Sequence, residues 1–190
     1  FGDLVIPGET DERYRYRLNV IASDISQGRL LILPGDIRQF GREPEKLGVA
    51  EAVRMSMSIP FFYEPVRLKN KTTGRTSYIV DGGLLSNYPV WLFDTAGQAP
   101  AWPTLGFKLV EPEEGQPAPI LGPVSLLAAL FGAMMEAHDA RYIKDSDFVR
   151  TIAIPTLGVR TTEFDLSRER SEALYRSGQQ AAEEFFATWD

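Results

Sequence analysis

An acidic residue between an apolar strand and two glycines is the side chain in this sequence best suited to chemistry. Asp81 follows the apolar stretch that ends at Val80, and Gly82 and Gly83 come directly after it. In open α/β sheets the ligand site lies at the carboxyl ends of the strands, and glycines allow a sharp turn and a close approach of another segment. Asp81 could therefore act as a general base or orient a nucleophile. The local pattern by itself favours a simpler role, in which Asp81 caps the following turn.

The serines near this acid do not look like nucleophiles. Ser56 and Ser58 flank an expected helix end, but neither has the glycines that the strained G-x-S-x-G elbow requires. The sequence contains no G-x-S-x-G and no run of three glycines. We therefore expect no nucleophilic serine within these residues.

Other polar residues have ordinary interpretations. His138, the only histidine, lies in a helical run and is expected to be a solvated or capping residue. The acids Asp139, Asp145 and Asp147 have a spacing that matches no ligand loop for a hard cation. We expect a solvated loop there, with no metal and no cofactor.

Strands and helices alternate along the chain, which predicts an α/β fold. Apolar or β-branched runs predict strands at residues 17–22, 30–33, 61–68, 77–80, 104–110 and 149–154. Helices are predicted at residues 49–58, 123–142 and 167–186, the last with Ser167 as its N-cap. In the first helix Val49, Val53 and Met57 share one face.

Composition and charge exclude several classes of protein. The 190 residues carry a formal net charge of −6, which disfavours a nucleic-acid partner. There is no cysteine for a disulfide framework or a thiolate metal site. No stretch reaches the roughly 20 apolar residues that span a bilayer, and the first residues lack the pattern of a signal peptide. We expect a cytoplasmic protein, with peripheral membrane contact as an option.

Three segments, in this order, resemble the C-terminal part of the catalytic domain of patatin-like phospholipases. They are VIASD at residues 20–24, which leads to Gly28-Arg29, then AVRMSMSIP at residues 52–60 and VDGGLLSNYPV at residues 80–90. Asp-Gly-Gly alone arises often by chance, but its place after Ser-Ile-Pro and before Asn and Pro is much more specific. Residues 154–159 and 164–166 are similar to the tail of bacterial members.

The resemblance implies a fold and an activity. The fold would be a layered α/β sandwich with a central, mostly parallel sheet flanked by helices. The activity would be hydrolysis of phospholipid or other acyl esters by a Ser-Asp dyad, in which Asp81 activates the serine and Gly82 and Gly83 complete the motif. Aromatic residues near the site could line an acyl pocket, although core packing is their default role: Phe61, Phe62, Trp91 and Phe93.

The sequence departs from the family pattern in lacking the serine elbow and the glycine-rich oxyanion loop. We therefore expect residues 1–190 to be the C-terminal part of a single hydrolase domain, inactive by themselves, whose missing elements precede residue 1. The alternative is a catalytically inactive patatin-like scaffold that binds lipid or protein, because a fold does not determine a function.

Overall fold

A computed structural model of the chain describes residues 1–94, 102–110, 120–123, 125–127, 129–130, 149–159 and 163–189. The chain divides into two compact units. The first consists of Phe1–Asp94 with Leu126–Tyr142, and the second of Thr95–Ser125 with Ile143–Asp190.

The first unit contains a four-stranded antiparallel sheet. Its strands are β1 (Val20–Asp24), β2 (Arg29–Leu33), β3 (Val66–Lys69) and β4 (Thr76–Asp81), in the spatial order β2-β1-β4-β3. Two hairpins, β1–β2 and β3–β4, are joined where β1 pairs with β4. Both hairpin connections are short, and short connections join antiparallel strands, whereas parallel strands need a long crossover.

The turn of the first hairpin is built around a buried acid. Asp24 is fully buried, and its Oδ1 accepts hydrogen bonds from the main-chain N–H of Ser26 at 3.0 Å and of Gln27 at 3.2 Å. Gly28 adopts a left-handed conformation with φ +63°, which glycine reaches at no steric cost. The Nε atom of Arg29 lies 3.7 Å from Oδ2 of Asp24. These contacts hold the turn that sets the register of β1 against β2. β4 pairs with the other edge of β1.

A short helix covers one face of this sheet. Helix α1 (Val49–Ser56) packs on β1 and β4 and buries Ala52 and Met55. The hydrophobic core around it also contains Ala22, Leu31, Leu33, Ile37, Phe40, Leu47 and Ile79. The apolar stripe that the sequence predicts on α1 lies on the exposed side, where Val53 is 42% and Met57 is 46% exposed. The helix is therefore apolar on two sides, and only the side with the smaller stripe faces this core.

The second unit contains a pair of parallel strands and a long helix. β5 (Gly106–Val110) pairs with β6 (Thr151–Pro155), and helix α2 (Arg168–Thr188) contacts β6. Ser177 Oγ on α2 donates a hydrogen bond to the carbonyl of Pro155 at 2.8 Å. The prediction that Ser167 caps this helix is confirmed, since its Oγ accepts from the N–H of Arg170 at 3.3 Å.

The α/β fold class is confirmed, but the sheet that bears Asp81 is not the expected parallel one. All its pairings are antiparallel, and among the described strands only β5 and β6 pair in parallel. The predicted strand at residues 61–68 begins only at Val66. Residues 61–65 form a loop that turns at Phe61, whose φ of +71° is incompatible with a strand.

The predicted helix at residues 123–142 is described only at residues 123, 125–127 and 129–130, which are helical. Its remainder lies outside the described residues, and so do His138 and the three acids of the 139–147 segment. Within the part of the chain that the structure describes, no helix is both long and apolar enough to cross a membrane.

Candidate active site

Asp81 joins a strand to a tight turn. It is the last residue of β4 and the N-cap of a 3₁₀ helix, Gly82–Leu84. Its Oδ1 accepts a hydrogen bond from the N–H of Gly83 at 2.7 Å. Within the described residues Oδ2 has no hydrogen-bond partner. The carboxylate therefore caps the turn with one oxygen and leaves the other able to accept a proton.

The main chain of Asp81 is held from both sides. On one side it pairs with Ala22 of β1. On the other its N–H donates a hydrogen bond to the carbonyl of Ser58 at 3.0 Å, in the loop that follows α1. The position of the carboxylate is therefore fixed by the sheet and by this loop.

Gly82 is needed for close packing. A Cβ atom added at Gly82 would lie 2.3 Å from the carbonyl oxygen of Ile21, a distance that no real Cβ adopts. The carbonyl of Gly82 accepts a hydrogen bond from Ser23 Oγ at 3.4 Å and from the N–H of Ser86 at 2.9 Å. The turn after Asp81 does not use left-handed backbone, because neither Gly82 nor Gly83 is among the described residues with positive φ. The close approach to β1 is the physical reason for the glycine.

Burial changes the acidity of the candidate base. Asp81 is half-buried, and the loss of solvation raises the pKa of its carboxyl above the ordinary value of 3.8. The hydrogen bond from Gly83 acts in the opposite direction and only partly offsets this effect. A higher pKa makes a carboxylate a stronger base, which is the direction that suits a group that removes a proton from serine.

The two serines considered as nucleophiles have different surroundings. Ser58 is fully buried, and its Oγ donates a hydrogen bond to the carbonyl of Arg54 at 2.6 Å. Ser56 is the last residue of α1 and is partly buried. Neither is on a strand-to-helix elbow. Ser58 acts here through its carbonyl, a main-chain contact that no sequence motif signals.

The aromatic residues near the site divide into two pairs. Phe61 and Phe62 are 65% and 50% exposed, so core packing, their default role from the sequence, is wrong for both. Trp91 and Phe93 are half-buried, and Phe93 stacks on Tyr14 with ring centroids 5.7 Å apart. The loop that contacts Asp81 through Ser58 thus presents two aromatic rings to solvent.

Among the residues that the structure describes, no group of three or more histidine, cysteine or acidic side chains could hold a metal ion.

Comparison with known proteins gives a family and a relative. Residues 13–94 match the model of the family described as patatin-like phospholipase. The chain is 39% identical over 173 residues to the protein named "Uncharacterized protein YqhO" of Bacillus subtilis (strain 168). That alignment covers 90% of this chain and 58% of the relative, so the chain spans little more than half of the relative's length.

Proposed function

Because residues 13–94 match the model of the patatin-like phospholipase family, we propose that the complete protein is a lipid acyl hydrolase of the phospholipase A type in which Asp81 is the general base of a Ser-Asp dyad. The observation that carries this proposal is the carboxylate of Asp81. It lies half-buried at a strand end, its pKa is raised, and one of its oxygens has no partner among the described residues. A cap that served the turn alone would need none of these properties.

In this proposal the serine and the oxyanion loop belong to parts of the complete protein other than residues 1–190. Oδ2 of Asp81 accepts the proton of the serine hydroxyl as the serine oxygen attacks the ester carbonyl. Main-chain N–H groups of the oxyanion loop stabilise the tetrahedral intermediate, and each such donor contributes about 2.7–4 kcal/mol to the barrier reduction. Asp81 then passes this proton to the leaving alcohol. In the second step Asp81 takes a proton from water as the water attacks the acyl-enzyme, and it returns the proton to the serine oxygen when the fatty acid leaves.

The substrate class follows from the family and from the apolar surface near the site. We propose phospholipids or other acyl glycerolipids, reached at a membrane surface. The exposed rings of Phe61 and Phe62 support this choice, because they lie on the loop that contacts Asp81 through Ser58. Large exposed apolar side chains commonly mark binding surfaces. No cofactor is needed for this chemistry.

The fold of the complete domain is part of the proposal. The parallel pair β5–β6 supports the mostly parallel central sheet that the sequence analysis expects. Parallel strands are stable when both faces of their sheet are covered, and a complete domain would supply the additional layers.

The test replaces Asp81 with Asn in the complete protein and measures hydrolysis of a chromogenic fatty-acyl ester. Asn has nearly the same shape, and its carbonyl oxygen can still accept from Gly83, so the turn is retained while the base is lost. We expect a loss of about 10²–10⁴-fold in kcat. The matched control is Asp3→Asn, at an exposed position. Activity of the Asp81→Asn protein within threefold of wild type would refute the assigned role.

The second candidate is a scaffold without catalytic activity. It is favoured by one observation, namely that the only hydrogen bond of the Asp81 carboxylate in the described residues is the cap to Gly83. The two candidates are separated by the complete sequence and by labelling. A G-x-S-x-G serine that reacts with an alkyl fluorophosphonate supports the hydrolase, and a complete protein that lacks this serine supports the scaffold.

A further inference from the structure

Arg54 ties the loop after α1 back onto the helix. Its guanidinium donates hydrogen bonds to Oγ of Ser58 and, at 2.8 Å, to the carbonyl of Glu64. The guanidinium carbon also lies 5.9 Å from the ring centroid of Tyr63, within range of a cation–π contact. One side chain therefore contacts the beginning and the end of the segment from residue 58 to residue 64.

Ser58 connects this arrangement to the candidate base. Its Oγ accepts from Arg54 and donates to the carbonyl of Arg54 at 2.6 Å, so the hydroxyl is bonded in both directions. Its main-chain carbonyl accepts the N–H of Asp81 at 3.0 Å. Ser58 itself is fully buried, and Arg54 is partly buried. Hydrogen bonds thus link the guanidinium of Arg54 to the side chain of Ser58, and the main chain of Ser58 to the main chain of Asp81.

We propose that Arg54 is a positioning residue for the hydrolytic reaction, which fixes Asp81 at the distance from the serine that proton transfer requires by immobilising Ser58. This inference rests on the proposed function. The guanidinium of Arg54 donates to Ser58 and Glu64, and the Asp81 carboxylate accepts from Gly83, so Arg54 acts on Asp81 through Ser58.

Arginine is suited to this role for a geometric reason. Nη1 and Nη2 form a planar fork that donates to two acceptors in fixed directions. The acceptors here are Ser58 Oγ and the Glu64 carbonyl. Lysine has one nitrogen on a flexible stem, so it keeps the charge but cannot hold both acceptors in the same geometry. An Arg54→Lys variant therefore separates the effect of geometry from the effect of charge.

The experiment measures kcat and KM of the complete protein with Arg54→Lys, Arg54→Ala and Ser58→Ala. Small displacements of a catalytic group cost up to about 100-fold in rate. We expect kcat to fall about 10- to 100-fold in Arg54→Ala and less in Arg54→Lys, with KM within twofold of wild type. Circular dichroism melting gives the folded fraction by which each kcat is corrected. The matched control is Arg67→Ala, at an exposed strand position, with kcat within twofold.

A double variant tests the route through Ser58. If Arg54 acts through this residue, Arg54→Lys combined with Ser58→Ala loses no more activity than the more severe single variant, because both changes break the same series of bonds. Full additivity of the two losses contradicts the inference.

The outcomes also distinguish this inference from the proposed function. An inactive Asp81→Asn protein beside Arg54 variants with kcat within threefold of wild type overturns the inference alone. A loss of kcat that disappears after correction for the folded fraction does the same. If Arg54→Ala does not fold, Arg54→Lys and Ser58→Ala decide by the same criteria. An active Asp81→Asn protein refutes the proposed function instead.

Discussion

The α-carbon of Gly82 lies against the carbonyl group of Ile21, so closely that a methyl group added to it would come within 2.3 Å of the oxygen and 2.7 Å of the carbon. The obstructing carbonyl belongs to the main chain of β1, which is paired to β2 on one side and to β4 on the other. β1 therefore cannot move away from Gly82 without breaking its pairing with β2 or β4.

Replacing Gly82 with Ala should therefore destabilise the protein. The overlap with Ile21 must be relieved by moving β1 or by displacing Asp81, and we expect a loss of about 3 kcal/mol or more in the free energy of unfolding. The measurement is a urea unfolding curve. Gly48→Ala is the matched control, since the nearest atom outside its chain neighbours is 3.9 Å from the added Cβ. Equal stability of the two variants would contradict the close approach.

The stability of the Asp81→Asn variant should depend on pH in a defined direction. The pKa of Asp81 is raised in the folded chain by burial, so the folded chain holds the proton more tightly than the unfolded chain. The carboxyl thus contributes stability below its ordinary pKa of 3.8, and this contribution is lost as the pH rises through the folded-state pKa. Asn does not ionise, so the stability of the Asp81→Asn variant does not fall with rising pH for this reason.

We therefore expect Asp81→Asn to gain stability relative to wild type on going from pH 3 to pH 7. The measurement is the difference between the urea midpoints of the two proteins at each pH. Asp3→Asn, at an exposed position, should show little change in this difference. A difference for Asp81→Asn that decreases toward neutral pH would show that burial does not dominate at this carboxyl.

Phe61 combines a strained main chain with an exposed ring. We expect the strain to lower the stability of the fold and the ring to bind the substrate. Its φ of +71° lies in the left-handed region, where Asn is tolerated far better than an aromatic residue. We expect Phe61→Asn to raise the free energy of unfolding by about 0.5–1 kcal/mol. In the complete protein it should raise KM for long-chain esters more than for short-chain esters.

Phe62→Asn is the control for Phe61→Asn, because Phe62 is also exposed but has no left-handed main chain. It should not stabilise the protein. If both variants change stability equally, the conformation of Phe61 carries no special strain.

The orientation of α1 can be tested with two neighbouring residues. Met55 is fully buried in the core, whereas Val53 is at the surface. We expect Met55→Ala to cost about 2–5 kcal/mol and Val53→Ala less than about 1 kcal/mol, as read from unfolding curves of this chain. Comparable losses would place the predicted apolar stripe in the core after all.

Local features of the fold could be predicted from the sequence, whereas contacts between segments far apart in the sequence could not. The hairpin strands, α1, α2 and the Ser167 cap follow from residue types within a short window. The pairing of β1 with β4 joins residues that are far apart in sequence, and nothing local specifies it. For the same reason Asp81 could be recognised as the residue after a strand, whereas its contact with Ser58 could not.

The glycine motif shows the same division. The sequence predicts that the glycines after Asp81 allow a close approach of another segment, and the structure confirms this for Gly82 and identifies the segment as the main chain at Ile21. The periodicity of α1 predicts an apolar stripe, but the face that is buried is the one with Ala52 and Met55. Periodicity alone does not rank two apolar faces.

The hydrogen bond from Asp81 to Ser58, together with the pairing to Ala22, has a consequence for how a dyad here would work. An acid anchored through its main chain on two flanks has little freedom to swing toward its substrate. Any adjustment during turnover must then come from the serine hydroxyl. The serine would move to meet a carboxylate whose main chain stays in place.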